Sequence, residues 1–133
     1  MPLLTKSPVD LARAQASLTA AQLCLEQRLL DSAVNRAYFA MFQAAIAALE
    51  VQGIRRREWT HKGVHTDFVS TFVRRRKIIP ISFAGALPRV MELRHTADYE
   101  QPGVSQRQAE KAMREAEEFL AILRKEVFHE PEA

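Results

Sequence analysis

Cysteine and glycine are scarce in this chain, and each scarcity excludes a class of protein. Cys24 is the only cysteine, so no intrachain disulfide can form, and a reducing compartment such as the cytoplasm is expected. With only 4 glycines, the sequence contains no glycine-rich phosphate loop and no nucleophile elbow. Classical nucleotide hydrolysis is therefore excluded, and without a Cys-x-x-Cys pair so is dithiol redox chemistry.

Long apolar runs are also missing. Charged or amide side chains interrupt every apolar stretch before it reaches the length that crosses a bilayer. The first residues, Met1 to Lys6, lack the charged-then-apolar order of a signal peptide. No membrane association is expected.

Apolar residues make up 47% of the 133 positions, with many alanines, which suits a single domain over residues 1–133 built from helices. No segment shows the alternation of a half-buried strand, whereas apolar residues recur at helical spacing in five segments. The sequence predicts an all-α, antiparallel up-and-down bundle of four to five helices. The predicted segments run from Ser7-Pro8-Val9-Asp10 to about Gln27, from Asp31 to Gln52 before Gly53, from Thr60 to Arg75, within Ser82–Tyr99, and from a capping box at Ser105–Gln108 to about Lys125.

The second and fourth segments carry the most specific expectations about packing. From Ala37 to Leu49 the second is apolar on nearly all sides, interrupted by Gln43, which is typical of the central helix of a bundle. In the fourth, Pro88 indicates either that the regular helix begins near it or that its first turns are kinked.

A polar group interrupts the apolar face of the fourth segment. The stripe of Phe83, Leu87, Val90 and Met91 continues onto Arg94, where a guanidinium is costly unless it is paired or faces a ligand. Asp98 follows at the i, i+4 distance that allows an ion pair, and Tyr99 comes next. The group is either a structural ion pair at a helix end or part of a binding site.

Polar residues elsewhere could join Arg94. Asn35 and Arg36 open the apolar part of the second segment, next to Tyr38 and Phe42, which are most simply core aromatics. His61 and His65 have the i, i+4 spacing of two metal ligands, but no third ligand follows at a suitable distance. We therefore predict no metal and no cofactor.

Positive charge is concentrated between Gly53 and Lys77, at both ends of the third segment. Arginine outnumbers lysine there, and its planar fork suits phosphate groups. The runs are either the electrostatic footprint of a nucleic acid or solvated loop charges. Their members are Arg55, Arg56, Arg57 and then Arg74, Arg75, Arg76 and Lys77.

Three motifs together resemble the prokaryotic HEPN domain, in particular a small single-domain branch with an Arg-x-x-Ala-Asp-Tyr signature. The resemblance extends from about Asp31 to Lys125. The motifs are Asn35-Arg36-Ala37-Tyr38-Phe39-Ala40-Met41-Phe42, Thr60-His61-Lys62-Gly63 and Leu93-Arg94-His95-Thr96-Ala97-Asp98-Tyr99.

The resemblance implies a homodimer with the arginine motif near its two-fold axis, and a role linked to RNA. Many members of the family are metal-independent endoribonucleases that act as toxins, and others pair with a minimal nucleotidyltransferase that neutralises them. Active members carry a histidine that is separated from the arginine by four to six intervening residues. Here Tyr99 follows Arg94 after four residues, and Glu100 and Gln101 take the next two positions.

Two functions follow from this pattern. In the first function, Arg94 binds the scissile phosphate, Asp98 orients it, and Tyr99 or a nearby histidine transfers protons. Tyrosine is the weaker choice for a base at neutral pH, because an unperturbed phenol titrates at about 10. In the other, the cleft binds nucleotide or RNA without cleavage, or docks a nucleotidyltransferase. The residues expected to contact the ligand are Asn35, Arg36, His61, Arg55, Arg56, Arg57, Arg74, Arg75 and Arg76.

Overall fold

The computed structural model describes residues 11–130 and contains five α-helices. No strand occurs in this range, so the predicted all-α bundle is confirmed. No helix within it is both long enough and apolar enough to cross a membrane. The predicted helix start at Ser7–Asp10 and the last three residues, 131–133, lie outside the described range. The helices are α1 (Leu11–Glu26), α2 (Leu30–Val51), α3 (His61–Phe68), α4 (Ala86–Tyr99) and α5 (Gln106–Glu126).

Helix α2 is the centre of the bundle, as its apolar sequence predicts. It packs against each of the other four helices, and its residues from Ala37 to Leu49 are buried except Phe39 and Phe42. The buried amide of Gln43 is satisfied by α1, because the Ser17 hydroxyl donates a hydrogen bond to Gln43 Oε1 over 2.8 Å. A polar residue is thus tolerated inside the core because it has a partner.

The third predicted segment is not one uniform helix. α3 begins after Thr60, whose hydroxyl accepts a hydrogen bond from the Gly63 amide, and ends at Phe68. A π-helical segment, Val69–Arg75, then continues it with wider turns. Both the Ile78 and Ile79 amides donate to the Phe72 carbonyl, so the following chain closes the end of this segment.

The start of α4 resolves the alternatives for Pro88. The helix begins at Ala86, which puts Pro88 in its first turn, where backbone N–H groups have no intrahelical acceptor. Phe83 lies before the helix, in a short 3₁₀ turn (Ile81–Phe83), and is only partly buried, while Leu87 and Val90 are buried. The regular helix therefore begins near the proline.

The connection from α4 to α5 is fixed by a helix cap and by a hydrogen bond to α2. At the start of α5, Ser105 and Gln108 form the predicted capping box, each side chain bonding to the other's backbone amide. One residue earlier, the Val104 amide donates to Asp31 Oδ1 over 2.9 Å, which ties the loop to the first turn of α2. Gly103 lies against the same carboxylate with a φ of +95°.

Replacing Gly103 by alanine is expected to destabilise the protein more than the same change at Gly53. Both glycines have a positive φ, which strains an L-residue by about 1–2 kcal/mol. A Cβ at Gly103 would also lie 2.6 Å from both Asp31 carboxylate oxygens, whereas one at Gly53 meets no atom within 4 Å. We expect Gly103→Ala to lose a further ~1–3 kcal/mol of unfolding free energy in urea denaturation. Equal losses at the two positions would show that Asp31 does not constrain the loop.

Candidate functional site

Arg94 and Asp98 form the ion pair that their spacing predicts. Arg94 Nε lies 3.4 Å from Asp98 Oδ2, and both side chains are about three-tenths exposed. The Asn35 amide donates to the same carboxylate from α2, at 3.2 Å to Oδ1. Asp98 therefore bridges α2 and α4 and holds the arginine at their junction.

Beneath Arg94 lies the ring of Tyr38. The Arg94 guanidinium carbon is 5.5 Å from the ring centroid, within the range of a cation–π interaction. Tyr38 is fully buried and its ring stacks with that of Phe42 at 5.9 Å, so both aromatics pack at the core as expected. The aromatic face adds a second contact that positions the guanidinium.

The Tyr38 hydroxyl joins two histidines of α3. It lies 2.8 Å from His61 Nδ1 and 2.8 Å from His65 Nε2. We call Tyr38, His61 and His65 the hydroxyl–imidazole cluster. The sequence indicated a site role for His61 but none for His65 or for the Tyr38 hydroxyl. A buried tyrosine that needs a partner, and two histidines one turn apart, are the signals that could have indicated them.

The environment keeps this cluster uncharged near neutral pH. Burial raises the pKa of Tyr38 to about 12, although the positive charge of Arg94 opposes the rise. Burial, followed by the charge of Arg94, lowers the pKa of His61. Burial and then His61 lower the pKa of His65. Each imidazole therefore has one protonated nitrogen and one lone pair, as an acid–base group requires.

The two histidines with the spacing of metal ligands each direct one nitrogen at the Tyr38 hydroxyl. Within residues 11–130, no group of three or more His, Cys, Asp or Glu side chains is arranged to hold a metal.

Two predicted site residues, Arg36 and Tyr99, lie outside the hydroxyl–imidazole cluster. Tyr99 is 75% exposed at the end of α4, and its ring packs against His95 at 4.8 Å. Arg36 is exposed, lies 5.3 Å from the Phe39 ring, and lines a surface pocket with Asn35 and Asp98. The structure thus brings Asn35, His61, Arg94 and Asp98 together and leaves Tyr99 at the edge.

The first basic run, Arg55–Arg57, is partly neutralised by acidic neighbours. Arg56 Nε lies 2.7 Å from Asp67 Oδ2, and the same guanidinium lies 5.8 Å from the Trp59 ring. Arg55 makes a longer 3.9 Å contact with Glu50.

The second basic run borders a groove that reaches the cluster. Adjoining surface pockets follow the α3 and π-helical segments on one side and the start of α4 on the other, and we call them the α3–α4 groove. His65 and Pro88 line its middle and Arg74 and Lys77 its far end. Arg75 instead donates to the Thr71 hydroxyl. A ligand in this groove would contact Arg74 and His65 together.

Comparison with known proteins identifies a family and a relative. The family model for the HEPN domain matches residues 10–126, which is most of the chain. A protein of Methanocaldococcus jannaschii named "Putative toxin MJ0605" is 32% identical over 112 residues, covering 84% of this chain and 81% of the relative.

Proposed function

This chain belongs to the HEPN family, and we propose that it is a toxin-like member that acts on RNA in the cytoplasm. The name of the M. jannaschii relative supports the toxin role. The observation that carries the proposal is the contact of Arg94 with the hydroxyl–imidazole cluster. An anion-binding cation there adjoins two neutral imidazoles, each of which has a nitrogen that can accept a proton.

The proposed reaction is metal-independent cleavage of RNA. The 2′-hydroxyl must lose a proton, the phosphate must be stabilised as charge builds on it, and the leaving 5′-oxygen must gain a proton. Arg94, oriented by Asp98, suits the phosphate role through charge-assisted hydrogen bonds. The α3 histidines suit proton transfer better than the exposed Tyr99, because a neutral imidazole accepts a proton far more readily than a phenol does.

Expression in a heterologous host tests this function. We expect induction of the wild-type chain to arrest growth and to fragment cellular RNA. Normal growth with intact RNA, at a level of protein confirmed by immunoblot, would contradict it.

The departure from the family's histidine spacing favours a second candidate function. Since Tyr99, Glu100 and Gln101 occupy the positions where active members have histidine, the site could bind nucleotide or RNA, or dock a minimal nucleotidyltransferase, without cleavage. In either function a nucleotidyltransferase encoded beside this chain would be its antitoxin. Suppression of growth arrest by that neighbour would support the toxin–antitoxin pair.

We also propose that the protein is a homodimer joined near the Arg94 motif. Two exposed aromatics flank that motif: Phe39 lies one turn beyond Asn35 on α2, and Tyr99 directly follows Asp98 on α4. Large exposed aromatic side chains are enriched in protein interfaces. Sedimentation equilibrium at micromolar concentration should therefore give about twice the chain mass, and Phe39→Ser should weaken the association. A wild-type monomer at that concentration would contradict the dimer.

A further inference from the structure

The Tyr38 hydroxyl touches chemically different nitrogens of its two partners. It meets Nδ1 of His61 but Nε2 of His65, at 2.8 Å in both cases. A hydroxyl has one proton to donate and accepts through its oxygen. Because Tyr38 is fully buried and these rings are its hydrogen-bond partners among residues 11–130, its proton must go to one ring while the other ring donates to its oxygen.

This arrangement permits two states. If Tyr38 donates to His61 Nδ1, His61 carries its proton on Nε2, and His65 must also carry its proton on Nε2 to donate back. If Tyr38 donates to His65 Nε2, both rings carry their proton on Nδ1. In each state the two histidines share one tautomer. The nitrogens that Tyr38 does not hold, His61 Nε2 and His65 Nδ1, then differ: one has a lone pair and the other a proton.

We propose that Tyr38 links the tautomers of His61 and His65, so that the two rings always present one general base and one general acid. The assignment of these roles to RNA cleavage rests on the proposed function, whereas the linkage itself does not. His61 and His65 are then the catalytic residues for proton transfer, and Tyr38 is a positioning residue that acts through them.

The linkage balances the protons of the reaction. The ring with the outer lone pair takes the 2′-hydroxyl proton as the 2′-oxygen bonds to phosphorus. The other ring gives its outer proton to the 5′-oxygen as the P–O5′ bond breaks. In the same step the first ring passes its inner proton to Tyr38 and Tyr38 passes its own to the inner nitrogen of the second ring, so that neither ring becomes an imidazolium or an imidazolate. Both rings are neutral again with their tautomers inverted, which is the state needed to activate water against the cyclic phosphate.

The test is ¹⁵N-histidine NMR of the intact protein without RNA, near neutral pH. In the wild type we expect His61 and His65 to show the same tautomer. In His65→Leu, Tyr38 has only His61 Nδ1 to donate to, so His61 should carry its proton on Nε2. In His61→Leu, His65 should carry its proton on Nδ1, the tautomer that is intrinsically less favoured. Adding Tyr38→Phe to His61→Leu is the matched control, and in that double variant His65 should carry its proton on Nε2.

The outcomes separate the linkage from the proposed function. Opposite tautomers in the wild type, or a His65 tautomer in His61→Leu that is unaffected by Tyr38→Phe, would overturn the linkage whatever the RNA assay shows. If the tautomers follow the expected pattern while purified protein leaves RNA intact, the linkage holds and the nuclease function fails. His95, which packs against Tyr99, serves as an internal reference, and its tautomer should not change among these variants.

Discussion

Replacing Arg94 by alanine is expected to remove RNA cleavage and growth arrest. Arg94 is held over Tyr38 and beside Asp98, where it can stabilise charge that develops on the phosphate. Removing one such preorganised group typically costs about 100-fold to 1,000-fold in rate. Cleavage of a fluorescent RNA by purified protein, together with growth after induction, would measure the loss.

Two further variants show whether the rate falls because the phosphate contact is lost or because the fold is disturbed. Arg94→Lys keeps the positive charge but not the planar fork, so its rate should lie between those of wild type and Arg94→Ala. Arg114→Ala changes an exposed arginine of α5 and should leave the rate unchanged. Circular dichroism should show the same helix content in all four proteins. Cleavage by Arg94→Ala at the wild-type rate would exclude the phosphate role.

Reversing charges at the end of the α3–α4 groove is expected to weaken binding of RNA by a similar factor whatever the RNA sequence. Arg74 and Arg76 are exposed, and Arg74 lines the groove that leads to His65. Each phosphate contact on single-stranded nucleic acid contributes about 0.7 to the slope of log affinity against log salt. Arg74→Glu/Arg76→Glu should therefore reduce affinity at least about tenfold at low salt and flatten that slope by roughly 1.4.

Matched charge reversals locate the RNA path. Lys111→Glu/Arg114→Glu reverses two exposed charges of α5 and controls for the change in net charge. Arg55→Glu/Arg57→Glu tests the first basic run while sparing Arg56, which is paired with Asp67. Fluorescence anisotropy between low and physiological salt would measure all three doubles. Equal losses in the α5 variant, or binding indifferent to salt, would reject the groove as the path.

The fold was largely predictable because the bundle depends on apolar periodicity and on helix-end signals. The capping box at Ser105–Gln108 and the glycine stop at Gly53 both lie where the sequence indicates. The π-helical segment was not predictable, because its apolar residues also fit an α-helix. In the fold, Phe72 is buried and its carbonyl accepts hydrogen bonds from the Ile78 and Ile79 amides, contacts that the apolar pattern does not indicate. One domain over residues 1–133 stays a prediction.

In the candidate site, the contact within one helix was predictable from the sequence, whereas the contacts between helices were not. The Arg94–Asp98 contact is local to one helix, so i, i+4 spacing reveals it. The contacts of Tyr38 with His61 and His65 join α2 to α3, across more than 20 positions of sequence. Sequence shows that a buried tyrosine needs a partner but not which side chain supplies it. The sequence therefore indicated that Tyr38 is a core aromatic. This is correct, but its hydroxyl also contacts both histidines.

The wide turns of Val69–Arg75 also bear on how this protein could diverge. A π-helical turn accommodates about one residue more than an α-helical turn, so losing one residue there would restore an α-helix. Residues beyond the deletion would stay close to their present positions around the axis, because the wide turns already accommodate the additional residue, and His61 and His65 upstream would also stay in place. Arg74 would remain beside the groove. A descendant can thus gain or lose one residue in this segment without altering either its proton-transfer groups or the basic end of the groove.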